Sequence, residues 1–331
     1  MTLALAACKN RRQVIEIAGF SMGTTYNVVV VDHDGEFEKA PLQSAIDTAL
    51  AELNGKLSNW DSASEIARFN VAPRQASVTM SRELSHVMQA ADHVHRASDG
   101  RFDTTIGPLI ELWGFGAPGA KALPSPDAVA RATEMSGHAN TLALGSGTMA
   151  KRQSQAQVYL AGIGKGYGAD YIGQVLETFG IKDYMVEIGG DLYAAGRNPD
   201  GLPWQIGIEA PNPADRGVMG VMGVVGVSGL GLATSGDYRN YFEVDGQRFS
   251  HLIDPKTGYP VMHKTASATV MAEDAMLADA WSTAMLILGR EEGLEVASRN
   301  NIAVQFVEQS ASAGQPAFRT YASQRFEALT T

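Results

Sequence analysis

The sequence has little cysteine, little basic charge and no long apolar runs. Its 331 residues include one cysteine, Cys8, so a framework of internal disulfides is excluded. Lys and Arg number 26 against 36 Asp and Glu, and a formal net charge of −10 argues against a nucleic-acid partner. No stretch reaches the roughly 18 uninterrupted apolar residues that a membrane-spanning helix needs. These shortages exclude a disulfide scaffold and disfavour nucleic-acid binders and membrane-spanning folds.

Apolar residues and glycine are abundant. Hydrophobic residues make up 45% of the chain, enough for a large core, and the length suits one large domain or two closely joined ones. The 35 glycines exceed the average share of about 7% and cluster in short runs. Such runs are typical of turns and of places where the backbone approaches a ligand closely. The composition therefore indicates a globular protein that binds something against its backbone.

The N-terminus contains a run, residues 5–8 (Leu-Ala-Ala-Cys), that resembles the lipobox of bacterial lipoproteins, where the cysteine receives lipid. The basic segment expected ahead of it is missing, which suggests that Met1 is an internal start within a longer precursor. We therefore expect residues 1–18 to be a signal remnant and linker, and residues 19–331 to be the functional domain. If the run is a lipobox, Cys8 would anchor that domain to a membrane on the periplasmic side; the alternative is a chance apolar N-terminus.

The pattern of the first half indicates a β-hairpin followed by helices. Residues 14–17 and 26–31 are rich in β-branched residues and are separated by glycines, which predicts two paired strands. Residues 41–57 and 81–96 have apolar residues at helical spacing, and Ser81 can cap the second helix.

The second half predicts an antiparallel sheet and a buried helix. Short β-rich segments separated by turn signals run from 184 to 249. Residues 274–288 are apolar on most sides and end at Gly289, as expected of a buried helix with a C-terminal glycine. Further on, residues 302–307 read as a strand. Together, the strand and helix patterns of the two halves predict an α+β fold with antiparallel sheets and packed helices.

Asp279 and Thr283 lie four residues apart in that buried helix, so their oxygens share one face. A hard cation such as Mg²⁺ takes oxygen ligands of this kind. The alternative is an aspartate that meets an arginine or a cap, with the threonine bonded to its own helix.

A glycine-rich segment at residues 162–168 follows a predicted strand at 158–163 and precedes a predicted helix at 169–179. It is not a P-loop, because Gly166 follows Lys165 where Ser or Thr is required. Residues 164–169 do match the dinucleotide pattern G-x-G-x-x-G/A, which is a weak signal alone. The other interpretation is a turn whose glycines supply positive φ. In either case Lys165 could direct its charge at a phosphate.

Two further segments could carry chemistry. His251 and Asp254 flank a rigid turn and could act as acid or base, although Asp-Pro-x-x-Gly is also an ordinary turn sequence. Trp60, between Asn59 and Asp61, could stack on a planar ring, although a tryptophan in a turn is more often simply packed. A serine hydrolase is disfavoured because no G-x-S-x-G elbow is present.

The order of these segments resembles that of the ApbE family of FAD:protein FMN transferases, from Met22 to about Gly289. The segments that carry the resemblance are Met22-Gly23-Thr24, Ser64-Glu65-Ile66, Phe102-Asp103-Thr104, Gly162-Ile163-Gly164-Lys165-Gly166-Tyr167, Ile188-Gly189-Gly190-Asp191, Ala233-Thr234-Ser235-Gly236-Asp237-Tyr238, His251 to Pro260, and Ala278-Asp279-Ala280 with Thr283.

The resemblance implies an ApbE-like fold with FAD in a cleft between two lobes. It also implies Mg²⁺-dependent transfer of FMN from FAD to a Thr or Ser hydroxyl of a flavoprotein, with release of AMP. Some family members instead hydrolyse FAD to FMN and AMP. The family's usual acceptors are extracytoplasmic or membrane flavoproteins of the Rnf, Nqr and NosR types.

Carried over by position, the resemblance assigns site residues. The metal ligands would be Asp279, Thr283 and the backbone carbonyl of Ala161. Lys165 and the loop amides would hold phosphate, and His251 would lie at the phosphoryl group, as the base for the acceptor hydroxyl. The remaining expected FAD contacts are Met22, Asn59, Trp60, Asp61, Asp103, Gly162 and Ile253.

The chain departs from the family pattern at three positions. Tyr159 replaces an aspartate, which puts the strength of Mg²⁺ binding in question, Asp191 stands where Asn is common, and Gly164 where Ala is usual. The alternatives to a transferase are a Mg²⁺-dependent FAD pyrophosphatase and a non-catalytic flavin-binding lipoprotein. A nicotinamide oxidoreductase would rest on residues 164–169 alone.

Overall fold

The computed structural model describes residues 13–74, 77–116, 123–211, 221–238, 240–310 and 317–330. Cys8 and the lipid attachment expected there lie outside the described residues. The first strand begins at Gln13, so the folded domain takes in residues 13–18, ahead of the expected boundary at 19. Among the described helices, none combines the length and the apolar character that crossing a membrane requires.

An eight-stranded sheet forms the centre of the fold, and every neighbouring pair in it is antiparallel. In spatial order its strands are β1 (Gln13–Ser21), β2 (Thr24–Asp32), β6 (Tyr184–Ile188), β7 (Asp191–Ala195), β10 (Leu230–Gly236), β13 (Thr265–Ala272), β14 (Ala303–Ser310) and β15 (Ala317–Ala322). The predicted α+β class is confirmed. The parallel sheet of a dinucleotide-binding domain is absent from the described residues. The hypothesis of a nicotinamide oxidoreductase therefore has no structural support among them.

Smaller sheets and the helices complete the fold. The small sheets are β3-β5-β4 (Ser77–Thr79, Thr148–Lys151, Leu142–Leu144), β8-β9 (Trp204–Glu209, Val221–Val227) and β11-β12 (Tyr241–Val244, Gln247–Ser250). The described helices are α1 (Lys39–Leu57), α2 (Glu65–Val71), α3 (Arg82–Ala97), α4 (Gly107–Leu112), α5 (Pro126–Glu134), α6 (His138–Thr141), α7 (Gly164–Thr178), α8 (Ala275–Asn300) and α9 (Gln324–Thr330).

The predicted hairpin opens the fold as β1 and β2, joined by a two-residue turn. Met22 and Gly23 have φ of 53° and 77°, the left-handed conformations that match the twist of paired strands. The Met22 side chain then lies against α7, where a Cβ on Gly168 would be 2.8 Å from its sulfur. The turn therefore places Met22 beside the glycine-rich segment, far from it in sequence.

The glycine-rich segment is helical from Gly164 onward, which corrects both interpretations of it as a loop. Gly164 is the first residue of α7, and Gly162, Gly164, Gly166 and Gly168 are not among the glycines with positive φ. Gly166 serves close packing: a Cβ on it would overlap the carbonyl oxygen of Ala275 at the start of α8. The lack of a side chain at Gly166 therefore lets α7 and α8 approach closely.

The strand predicted at residues 158–163 is also wrong. Residues 156–160 belong to no strand. The Tyr159 N–H donates to the Thr104 carbonyl at 2.7 Å, and the backbone of Val158 and Leu160 bonds to side chains. The amides of Asn59 and Asn70 donate to the Val158 carbonyl, at 2.6 and 2.9 Å. The Leu160 N–H donates to Asn59 Oδ1 at 3.0 Å. The apolar composition of this run is typical of a strand. No strand forms because its backbone groups are bonded to distant parts of the chain instead.

The buried helix predicted at residues 274–288 is confirmed as the first part of α8. Gly289, with φ of 71° and ψ of 177°, interrupts it, and a second helical part continues to Asn300. Trp281 and Met285 are buried in the main core between this helix and the sheet. Because α8 is packed on most sides, the few polar residues on it are held in fixed positions.

Candidate active site

A cleft with two chambers crosses the end of α7. The larger chamber, of about 800 Å³, lies between the β1–β2 turn, α1 and the residues after α1. The smaller, of about 340 Å³, lies between β10, α8 and the segment around His251. Tyr159, Ala161 and Lys165 line both chambers and therefore mark the junction between them.

Three charged side chains meet at this junction. Lys165 Nζ lies 2.7 Å from Asp191 Oδ2 and 3.4 Å from Asp279 Oδ2. The same ammonium lies 3.4 Å from the carbonyl oxygen of Ala161. The Lys165 ammonium therefore lies among oxygens of Asp191, Asp279 and Ala161. The family resemblance assigned the last two of these residues to a metal.

Burial sets the protonation of this cluster. Burial and the neighbouring Asp279 raise the pKa of Asp191 to about 7, against the opposing effect of Lys165. Burial works to lower the pKa of Lys165, but the charges of Asp191 and Asp279 outweigh it and raise that pKa. Lys165 therefore stays charged at neutral pH.

The crossing of α7 and α8 positions Asp279. Its Oδ2 accepts a hydrogen bond of 3.1 Å from the Gly166 N–H, beside the point where the helices touch. Asp170 of α7 accepts hydrogen bonds from the first two amides of α8, Ala275 and Met276, each at 2.8 Å. These bonds fix the register between the helix that carries Lys165 and the helix that carries Asp279.

Hydroxyl groups position Thr283, one turn beyond Asp279. Thr283 Oγ1 lies 3.3 Å from Ser235 Oγ of β10, and Ser235 Oγ also lies 2.8 Å from Ser282 Oγ. A Cβ on Gly162 would be 3.0 Å from Thr283 Oγ1, so the turn at residues 161–163 lies directly against this hydroxyl. Sequence reasoning missed the part played by Ser235 and Ser282, since only the motif around Ser235 was visible.

His251 lies on the wall of the smaller chamber, with Ile253 beside it. Its Nδ1 is 3.0 Å from the carbonyl oxygen of Asn240. Because a carbonyl can only accept, Nδ1 is the donor, and in the neutral ring Nε2 is then the nitrogen that holds the lone pair. Ile253 is fully buried and contributes apolar wall.

Aromatic rings border the larger chamber. Trp60 is 69% exposed, and its ring lies edge-on to that of Tyr159 with centroids 6.5 Å apart. The Tyr159 hydroxyl donates to Glu111 of α4 at 2.5 Å. An exposed tryptophan at the mouth of a cavity fits the interpretation that it stacks on a planar ring rather than packs in the core.

Other residues from the sequence analysis lie in or near the cleft with their polar groups already bonded. Asp103 lines the smaller chamber, but its carboxylate accepts from the Thr105 amide and hydroxyl and from the His138 amide. Asp61 is exposed next to Trp60 and does not line either chamber. Asp254 binds Arg101 at 3.1 Å and the Lys256 amide, which supports its interpretation as a turn residue.

Comparison with known proteins gives one consistent family. The sequence pattern of the ApbE family matches residues 22–306. The FAD:protein FMN transferase of Haemophilus influenzae is 38% identical, over all of this chain and 95% of the relative. That of Vibrio cholerae is 35% identical, over 98% and 95% of the two chains.

Solved structures agree. The flavin transferase ApbE from Vibrio cholerae superposes with a TM-score of 0.86 at 33% identity, covering 96% of this chain and 99% of that one. The apo form of the Pseudomonas stutzeri flavinyl transferase ApbE also gives 0.86, at 36% identity, with 96% and 97% covered.

Proposed function

The chain belongs to the ApbE family, and from that membership we infer that it transfers FMN from FAD to a target protein. The observation that supports this inference best is the cleft itself. Two chambers, one bordered by an exposed tryptophan, join at Lys165, which pairs with Asp191 and Asp279 on the wall of the smaller chamber. FAD has the matching form, since two ring-bearing halves are connected by a pyrophosphate.

We further propose that the reaction uses Mg²⁺ held by Asp279, Thr283 and the carbonyl of Ala161. The residues fit such an ion: all three groups are oxygen donors, which is the ligand type that Mg²⁺ takes. The Lys165 ammonium, within 3.4 Å of Asp279 Oδ2 and of the Ala161 carbonyl, supports the view that these oxygens favour a cation. When bound, Mg²⁺ would neutralise charge that develops on the pyrophosphate oxygens.

Tyr159, which replaces the family's aspartate, does not remove any of these three donors. Its hydroxyl is directed to Glu111 on α4 rather than to Asp279. The ring lies against Gly107, where a Cβ would be 3.0 Å from it. We propose that Tyr159 forms the wall between the chambers, and that the metal site stands without a carboxylate at position 159.

The proposed transfer step needs a proton acceptor, and His251 has the right tautomer for it. A Ser or Thr hydroxyl of the acceptor attacks the flavin-side phosphorus of FAD, and a new P–O bond forms. The hydroxyl proton passes to Nε2 of His251, the nitrogen that holds the lone pair while Nδ1 faces Asn240. The bond between that phosphorus and the bridging oxygen breaks, and AMP leaves with the bond's electrons. Lys165 is placed to hold the pyrophosphate.

Apart from Asp61, which lines neither chamber, the remaining expected FAD contacts divide between the two chambers. Met22, Asn59 and Trp60 line the larger chamber, and Asp103, Gly162 and Ile253 line the smaller one. Trp60 supplies a ring face, whereas Asn59 and Asp103 use their polar groups to hold the walls. We propose that these two shape the cleft more than they bind FAD directly.

We also propose that the enzyme works in the periplasm, anchored to a membrane by lipid on Cys8. The support is the run of residues 5–8, which resembles a lipobox. Membrane and extracytoplasmic flavoproteins of the Rnf, Nqr or NosR type would then be the acceptors. Labelling cells with a fatty-acid analogue tests this: lipid is expected on the chain and lost in Cys8→Ser.

The transfer itself is tested by incubating the purified protein with FAD and Mg²⁺, with and without a Thr-containing flavoprotein acceptor. We expect AMP to appear together with an acceptor whose mass has increased by one FMN. AMP without acceptor would instead indicate the pyrophosphatase. Bound FAD with no AMP in either tube would indicate the non-catalytic flavin-binding lipoprotein and contradict the proposal.

A further inference from the structure

Asp191 has no assigned role in the function proposed above, yet it lines the smaller chamber beside Lys165. It is the first residue of β7 and follows the turn at Gly189 and Gly190, which have φ of 60° and 99°. Only 4% of Asp191 is exposed. Its carboxylate is the closest charged partner of Lys165, at 2.7 Å against 3.4 Å for Asp279.

The described residues that line the two chambers carry an acidic excess. Lys165 is the one Lys or Arg among them, whereas four acidic residues line the same walls: Asp47, Asp103, Asp191 and Asp279. At the junction Lys165 faces two acidic side chains, Asp191 and Asp279. A pyrophosphate that enters this cleft alone therefore meets net repulsion, because Asp191 already neutralises the ammonium that would attract it.

We propose that Asp191 is a positioning residue that holds the Lys165 ammonium and keeps the cleft floor negative, so that a pyrophosphate ligand binds only together with a divalent cation. The proposal rests on the proposed function. It assigns Asp191 a role distinct from that of Asp279: Asp279 would bind the cation, and Asp191 would make the cation necessary for nucleotide binding.

The test uses ADP, a nucleoside diphosphate that carries no transferable FMN. Its dissociation constant is measured by calorimetry with Mg²⁺ or with EDTA, at about pH 8, above the pKa of about 7 of Asp191. The proteins are the wild type, Asp191→Asn, Asp191→Glu, and Glu38→Gln as a control. Glu38 is exposed at the N-terminus of α1 and makes no side-chain cap hydrogen bond, so its replacement removes the same charge far from the cleft.

In the wild type we expect ADP to bind about 100-fold more weakly in EDTA than with Mg²⁺. In Asp191→Asn the ratio of the dissociation constant in EDTA to that in Mg²⁺ should shrink by about tenfold. The reason is that ADP binding in EDTA improves once Lys165 is no longer neutralised. Asp191→Glu keeps the charge and should keep the wild-type ratio, as should Glu38→Gln. Binding of Mn²⁺ alone should weaken several-fold in Asp191→Asn.

An unchanged ratio in Asp191→Asn would overturn the proposal. So would an equal loss of ADP binding with and without Mg²⁺, which would show that Asp191 only supports the fold. If Asp191→Asn does not fold, equally tight ADP binding by the wild type in EDTA and in Mg²⁺ would overturn it. Normal FMN transfer by a wild type with such a result would reject this inference and leave the proposed function standing.

Discussion

Two buried aspartates, Asp32 and Asp191, show how differently this fold treats the same side chain. Asp32 is 1% exposed and Asp191 4%. Asp32, at the end of β2, accepts hydrogen bonds from the Gly35 and Phe37 amides and from Gln13 Nε2, at 2.8 to 2.9 Å. Asp191 has Lys165 as its ion-pair partner, shared with Asp279.

The pKa values diverge accordingly. Burial works to raise the pKa of Asp32, but the hydrogen bonds to its carboxylate lower it to about 2. Burial and Asp279 raise the pKa of Asp191 to about 7. The Asp32 carboxylate is satisfied by the loop that follows it and by Gln13 of the paired strand. The other belongs to a cluster with more negative than positive charge, which is the arrangement expected where a cation and a substrate complete the site.

The largest effect is expected from Asp279→Asn, which removes the charged oxygen at the junction. FMN transfer should fall by at least about 100-fold, because the proposed metal ligand is lost. AMP release at saturating Mg²⁺ measures this. The control is Glu295→Gln on the exposed side of α8, which should keep full activity. A Mg²⁺-dependent Asp279→Asn enzyme with activity close to wild type would contradict the assignment.

Gly166→Ala tests the packing that brings the charged residues together. Its Cβ would overlap the Ala275 carbonyl, so the free energy of unfolding should fall by about 3 kcal/mol. Gly164→Ala is the matched control, since the nearest atoms to its Cβ are 3.9 Å away. Urea unfolding compares the two variants. Equal stability of the two variants would show that close packing of α7 against α8 does not depend on the missing side chain at Gly166.

Asp32→Asn probes the carboxylate whose partners are all within its own region. Because its pKa is lowered in the folded protein, its contribution is present above the unfolded value of about 4 and is lost as the pH falls towards 2. We expect the variant to lose about 1 to 2 kcal/mol at neutral pH. Melting curves from about pH 6 to pH 2 should show the difference closing; a constant difference would contradict the assignment.

The smallest effect is expected from Tyr159→Phe. It removes the hydrogen bond to Glu111, and a loss of about 1 kcal/mol or less should follow because Glu111 is exposed to water. Binding of Mn²⁺, followed by electron paramagnetic resonance, should be unchanged. A large loss of Mn²⁺ affinity would show that the phenol supports the metal site after all.

Local patterns predicted much of the fold. The β1–β2 hairpin and the part of α8 that ends at Gly289 follow from alternation, helical spacing and turn residues. The segment at residues 158–163 was misread because apolar composition cannot reveal that Asn59 and Asn70 replace a strand partner. The glycines of α7 were misinterpreted as a loop. The residue that Gly166 packs against, Ala275, lies more than a hundred residues away in the sequence.

The candidate site was predictable where one element carries it. Asp279 and Thr283 share a helix face, so their spacing alone brought them together. Lys165 and His251 were candidates from the sequence with other interpretations open, and the family resemblance assigned their roles. Asp191 was noted only as a departure from the family pattern. Its neighbours in the sequence do not show that β7 places its carboxylate 2.7 Å from Lys165. Contacts between distant elements are what a single sequence does not display.

The most direct measurement is anomalous diffraction from crystals soaked in Mn²⁺, for the wild type and for Asp279→Asn. Our account predicts a metal peak among the Asp279 carboxylate, the Thr283 hydroxyl and the Ala161 carbonyl, which disappears in the variant. A wild-type cleft with no metal at these oxygens, or the same peak retained in Asp279→Asn, would contradict it.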